Sequence, residues 1–203
     1  MKLSKHLIII LLALHINISH SQVLRGEWFT GKTKAEGLIE NDLRQGEHTF
    51  WYLLGGKELV VNFRNDTLDG KIIGWYRDGS IKILGTYRNG LKSGKWQFWH
   101  KNGNVESTEY YVNDIPDDFR YEWYRNGNLK SKCYYVSGVL QGEWIAKHKN
   151  GNLMELGNYV DGIRHGIWTE YYLNGKKRTE TEYDMGEIVS EPKEWWSTGF
   201  PKE

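Results

Sequence analysis

Apolar and polar residues in this chain do not recur at the three- and four-residue steps of a helix. They fall into runs of about six to eight residues rich in Trp, Tyr, Ile, Val and Thr, punctuated by Gly, Asn and Asp. Such runs, bounded by turn formers, predict strands, and a glycine roughly every nine residues would break any helix attempted. Gly94-Lys-Trp-Gln-Phe-Trp-His, then Asn102-Gly103, then Asn104-Val-Glu-Ser-Thr-Glu-Tyr-Tyr111 reads as strand, turn, strand.

The punctuation is periodic. Gly31, Gly55, Gly79, Gly103, Gly127, Gly151, Gly175 and Gly199 stand 24 residues apart, and five of them follow Asn or Asp. Nine residues earlier lies a second series, Gly46, Gly70, Gly94, Gly142 and Gly166, with Asp118 and Ser190 at the equivalent places. A third series, Phe63, Tyr87, Tyr111, Tyr135, Tyr159 and Tyr183, is followed at two and three residues by Asn65-Asp66, Asn89-Gly90, Asn113-Asp114, Ser137-Gly138, Asp161-Gly162 and Met185-Gly186. Asn-Gly and Asp-Gly reach positive φ at low steric cost, so each unit carries two tight-turn signals and forms one hairpin. The expected fold is all-β: an elongated single-sheet meander, or solenoid, of 24-residue β-hairpin repeats, each advancing the sheet by about 10 Å. Units open near residues 22, 46, 70, 94, 118, 142, 166 and 190.

Counted from the second series, three aromatic columns emerge. The +5 column reads Trp51, Trp75, Trp99, Trp123, Lys147, Tyr171 and Trp195; the +6 column reads Tyr52, Tyr76, His100, Tyr124, His148, Tyr172 and Trp196. At +2 stand Trp96, Trp144 and Trp168, on the face opposite to +5 because strand side chains alternate. Stacked along the sheet, the +5 column is expected to supply the packing that a single-layer sheet lacks. In the +6 column, Tyr52, Tyr76, His100, Tyr124, His148 and Tyr172 form the candidate partner-binding surface, since exposed aromatic patches mark interfaces.

Residues 1–21 do not fit the repeat. Lys2 and Lys5, an apolar run from Leu7 to Leu14, and Ser19-His20-Ser21 form a signal-peptide pattern with expected cleavage after Ser21; the run is too short to span a bilayer. The chain is therefore expected to be exported, as residues 22–203, one array. Without the two leader lysines the balance is 25 basic against 26 acidic residues. The longest basic run, Lys176-Lys177-Arg178, is short, so a nucleic-acid partner is not indicated. Membrane contact is not indicated beyond the leader. Cys133 is the only cysteine and reads as a small strand residue.

The unit Gly-x-Trp-x-x-(Trp/Tyr)-x-x-Asn-Gly-x-(Leu/Val) resembles the MORN-repeat variant family. It is clearest in Gly94 to Val105, Gly142 to Leu153 and Gly166 to Gly175. The resemblance implies a β-hairpin solenoid, a protein-scaffolding role and, in bacteria, a class labelled as the antitoxin component of toxin–antitoxin pairs. The unit at Asp118 departs from it: Asp114-Ile-Pro-Asp117-Asp118 replaces a glycine turn, Arg120 and Glu122 stand at places usually apolar or aromatic, and Pro116 predicts an edge bulge or a kink.

No arrangement of catalytic groups is visible. His100 and His148 share a register but lie two units apart, which excludes one shared metal site in a continuous array. Asp114, Asp117 and Asp118 lack the spacing of a calcium loop and read as a solvated turn. Asn65-Asp66-Thr67 fits a glycosylation sequon. The reading is an exported, non-catalytic module with no metal or cofactor and another protein as partner; a toxin-neutralising immunity protein and glycan binding or hydrolysis by the aromatic face are the alternatives.

Overall fold

The computed structural model describes residues 21–202, and every regular element among them is a strand. In chain order these are β1 (Ser21–Glu27), β2 (Thr33–Glu40), β3 (Leu43–Trp51), β4 (Lys57–Arg64), β5 (Thr67–Trp75), β6 (Ile81–Arg88), β7 (Leu91–Lys92), β8 (Gly94–Trp99), β9 (Val105–Val112), β10 (Ile115–Pro116), β11 (Asp118–Trp123), β12 (Leu129–Val136), β13 (Val139–Lys147), β14 (Leu153–Val160), β15 (Ile163–Tyr171), β16 (Lys177–Asp184), β17 (Glu187–Ile188) and β18 (Lys193–Glu194). They form one sheet. Every pairing is antiparallel, from β1 on β2 to β16 on β17 and β18, and the successive segments β7 and β8, β10 and β11, and β17 and β18 each share one partner strand, β6, β9 and β16. The expected all-β meander of hairpins is the observed fold. The leader lies outside the described residues, except for Ser21 at the start of β1.

Two turn types alternate along the array. In the longer, the amide of Gly79 donates to the Tyr76 carbonyl at 2.9 Å and that of Tyr76 to the Ser80 carbonyl at 2.8 Å, with Gly79 at φ +85°. This is the three-residue hairpin loop whose last residue is left-handed. The shorter turns have positive φ at both central residues, as at Asn89 (48°) and Gly90 (84°), the geometry that matches strand twist.

The second glycine series makes neither turn. It marks a bulge in the first strand of each hairpin, on the side facing the preceding hairpin. Between β14 and β15 the register passes from Leu156↔Thr169 to Asn158↔His165, so β15 carries two extra residues there. The same bulge separates β7 from β8 and β10 from β11. Gly94 sits at φ +71°, and Asp118 takes the equivalent place at +79°. Pro116 is therefore at a bulge that every repeat possesses rather than at a kink peculiar to its own. An even insertion leaves the inward and outward faces of the strand in phase while increasing local twist.

Among the tryptophans, deep burial is found only at +2: Trp96 is 1% exposed and Trp168 2%, whereas Trp144 of the same column and Trp51, Trp75, Trp99 and Trp123 of the +5 column are only half-buried. This corrects the expectation that +5 supplies the packing. The cause lies in what stands opposite. In five units the +2 side chain faces the +15 side chain of the preceding unit and matches it, by size in His48 over Gly37, Ile72 beside Val61, Trp96 over Gly85 and Trp168 over Gly157, and by charge in Arg120 beside Glu109. In the sixth, at Cys133, Trp144 stays half-buried and donates from Nε1 to Glu155 at 2.7 Å. A Cβ on Gly85 would lie 2.4 Å from the Trp96 ring, and one on Gly157 2.2 Å from Trp168, so only glycine lets the indole lie flat on the backbone. The third aromatic series closes each seat from the side: Tyr87 meets Trp96 edge-on at 4.9 Å, as Tyr159 meets Trp168. Cations cap three of these seats, Arg44 at 4.1 Å from the Phe63 ring, Lys92 at 4.9 Å from Trp96 and Arg164 at 4.0 Å from Trp168. Val61, Phe63, Ile72 and Trp96, with Phe50, Leu59, Ile83 and Phe98 against them, form the apolar core.

Candidate binding surface

The side chains of the +6 column stand where each first strand enters its long turn, all six candidates half-buried. Their polar ends are spoken for. The Tyr52 hydroxyl donates to the Trp75 carbonyl at 2.7 Å, Tyr76 to Trp99 at 2.6 Å, Tyr124 to Lys147 at 2.8 Å and Tyr172 to Trp195 at 2.9 Å. His100 Nε2 lies 2.9 Å from the Trp123 carbonyl and His148 Nε2 3.1 Å from that of Tyr171. A carbonyl only accepts, so both imidazoles carry their proton on Nε2. Each of the six thus reaches into the following unit and bonds the backbone of the next repeat. Trp28 Nε1 makes the same contact with the Trp51 carbonyl at 3.3 Å in the opening unit. The column staples successive hairpins together, a role signalled only by the recurrence of Tyr or His, the two rings that can donate from their far end. Burial, with nearby Glu58 for Tyr52 and Glu106 for Tyr76, raises both phenols above the usual tyrosine value.

What the column leaves open is ring surface, and two adjoining grooves expose it. The first, about 430 Å³, exists because the +4 position is Gly74 between Phe50 and Phe98; Tyr52, Leu59, Ile72, Trp75 and Ile83 complete an apolar notch with Glu58 and Lys82 at its rim. The second, about 450 Å³, begins at Phe98 and runs past His100, Trp123 and Tyr124 into the irregular repeat. There the seat is ionic. Arg120 lies 3.5 Å from Glu109 and 2.6 Å from Glu122, and Lys130 3.0 Å from Glu122. Burial pulls the Arg120 guanidinium down, but Glu109 and Glu122 outweigh it and raise it. Burial likewise pushes Glu122 up, yet Lys130 and Arg120 hold it below the ordinary glutamate range. Tyr111 donates to Glu109, and burial together with that carboxylate drives its phenol far upward.

The opposite face of the same repeat carries a strip of rings along β11, with Phe119 and Tyr121 at 5.8 Å and Tyr121 stacked on Trp123 at 5.7 Å. The aspartates near it hold backbone: Asp114 accepts from the Lys92 amide, Asp117 from Ser137 and Asp118 from Phe119. Among the described residues no group of three or more His, Cys, Asp and Glu is placed to hold a metal ion. Cys133 is buried in the +15 column, and burial raises its thiol. No helix among the described residues is long and apolar enough to cross a membrane.

A family model described as "MORN repeat variant" matches residues 68–89, 92–113, 120–137, 140–161 and 164–185, just over half of the chain. The third segment is the short one, opening at Arg120 past the Pro116 bulge. The hairpins before residue 68 continue the same sheet outside the matched segments. No curated protein matches the chain.

Proposed function

The chain belongs to the MORN repeat variant family, and from that premise we propose that it is an exported, non-catalytic module that binds another protein through the grooved face of its sheet. Repeats of this family generally serve as binding modules. The observation that carries the reading is the notch at Gly74. Two phenylalanines, a leucine, two isoleucines and two further aromatic rings surround a gap of about 430 Å³ with one cation and one anion at its edge. That is the anatomy of an anchor pocket, in which a partner's apolar side chain is desolvated while rim charges set its orientation. The stapled +6 column holds the pocket walls at fixed separation, so little ordering cost falls on binding.

Site-specific photocrosslinking tests this without removing a ring. A benzoylphenylalanine at Glu58 or Lys82, on the rim of the notch, crosslinks the same protein partner from the source organism, saturably, while one at Ile167, exposed on the opposite face, does not. Equal labelling from Ile167, or no protein adduct from either rim position, contradicts the proposal. Neutralisation of a toxin is a special case of the same binding, tested by rescue from the product of an adjacent gene. Export predicts that the chain recovered outside the cytoplasm begins at Gln22.

A further inference from the structure

The long turns form one edge of the array, and their second position, at +7, repeats as a cation: Arg77, Lys101, Arg125 and Lys149 in four consecutive units. All four are exposed. Among the described residues none of them joins an ion pair. Asp78 is the only carboxylate in these four turns, the remaining tips being Asn-Gly-Asn.

The row is held rigidly. Asn102 and Asn104 both donate from their side-chain amides to the Arg125 carbonyl, at 2.6 and 3.0 Å, and Asn126 and Asn128 both donate to the Lys149 carbonyl, at 2.9 and 3.0 Å. The last three turns are thereby bolted one to the next at Arg125 and Lys149, and the +6 staples lie alongside all four. One repeat is two strands, so the charges stand about 10 Å apart. Beside them run the half-exposed rings of the +6 column. The Arg77 guanidinium lies 5.6 Å from the Tyr52 ring, and Arg125 lines the second groove with His100, Trp123 and Tyr124.

We propose that this edge binds a linear acidic glycan bearing one carboxylate per disaccharide, laid along the array with its carboxylates on Arg77, Lys101, Arg125 and Lys149 and sugar faces against the +6 rings. Two sugars of an extended β-linked chain are close in length to the advance of one repeat, so the two periods run in step. An extended peptide does not match: its side chains alternate in direction, so groups three residues apart, about 10 Å, point to opposite sides. A fluid lipid surface has no period to match and would use apolar tips, which these four turns lack. The cations themselves lie outside the lining of the Gly74 notch, although the Tyr52 ring borders both sites.

The test is titration of the purified chain with a hyaluronan oligosaccharide of four disaccharides, followed by tryptophan fluorescence and calorimetry at low and high salt. Binding is expected, weakening with salt. Each of Arg77→Ala, Lys101→Ala, Arg125→Ala and Lys149→Ala should lower affinity about two- to five-fold, as for exposed charge pairs, and the quadruple variant should lose binding while keeping its far-ultraviolet spectrum. An uncharged chitin oligosaccharide should not bind. Failure of the hyaluronan oligosaccharide to bind, binding that survives the quadruple substitution, tighter binding of polygalacturonate with a carboxylate on every sugar, or binding only to phosphatidylglycerol-containing vesicles overturns the proposal. The protein-binding reading is scored separately, by crosslinking from Glu58 and Lys82 at the notch rim in the absence of glycan.

Discussion

Two neighbouring seats of the array occupy the same backbone positions and solve the same problem differently. At Gly85 and Trp96 an indole lies flat on bare backbone and is almost wholly sealed, with Tyr87 edge-on and Lys92 above it. One repeat on, Glu109 and Arg120 replace that pair with an ion pair, and Glu122 and Lys130 extend it. The first arrangement excludes water and closes the sheet surface; the second keeps charge half-solvated and leaves a groove of about 450 Å³. The backbone register is the same in both. What differs is whether the two facing positions are matched by size or by charge, so a repeat can be given to stability or to surface without disturbing its neighbours.

Breaking the apolar seat should have the largest effect. Trp96→Ala removes the most buried side chain and is expected to cost about 3–5 kcal/mol, read as a fall in urea midpoint by fluorescence and circular dichroism. Gly85→Ala forces a methyl group into the indole and should cost about 1–3 kcal/mol. In the Trp96→Ala background the same substitution should cost little, because nothing remains to collide with; an equal penalty in both backgrounds would mean that the glycine is needed for its backbone alone.

Smaller effects test the staples and the ionic seat. Tyr76→Phe keeps the ring but loses the bond to the Trp99 carbonyl, for an expected loss of about 1 kcal/mol, which scanning calorimetry resolves as a lower melting temperature. Glu122 is held below the ordinary glutamate value, so its folded form binds fewer protons than the unfolded chain. Its contribution is fully present above the ordinary value of about 4.3 and is lost as pH falls through its lowered value. Glu122→Gln should therefore flatten the acid side of the stability profile while costing some stability at neutral pH; an unchanged acid limb would show that other carboxylates govern it.

Most of the architecture was legible because hairpin turns have few chemical solutions: Asn-Gly, Asp-Gly and Asn-Asp at a constant 24-residue step name both turn types and the meander. Column depth was not legible in the same way. Tryptophan is commoner at +5 than at +2, yet burial follows the residue opposite, and Gly85 faces Trp96 only once the bulge at Gly94 has displaced the register by two. The Tyr and His column was visible as a column, but its bonds run to backbone carbonyls, which carry no sequence signature. The cation row escaped because its members stand a full repeat apart, where a search for basic runs has nothing to find; only stacked strands bring Arg77, Lys101, Arg125 and Lys149 into line.

The central claim is that the two facing columns act as one unit whose members must match. A double-mutant cycle at the ionic seat tests it: Glu109→Gly, Arg120→Trp and the two together, with stability read as urea midpoint. Each single change should be destabilising, the first by removing one of the two carboxylates that Arg120 pairs with and the second by setting an indole against Glu109. Together they rebuild the pair found at Gly85 and Trp96, and the double variant should equal or exceed the parent in stability. Simple addition of the two losses would contradict the account.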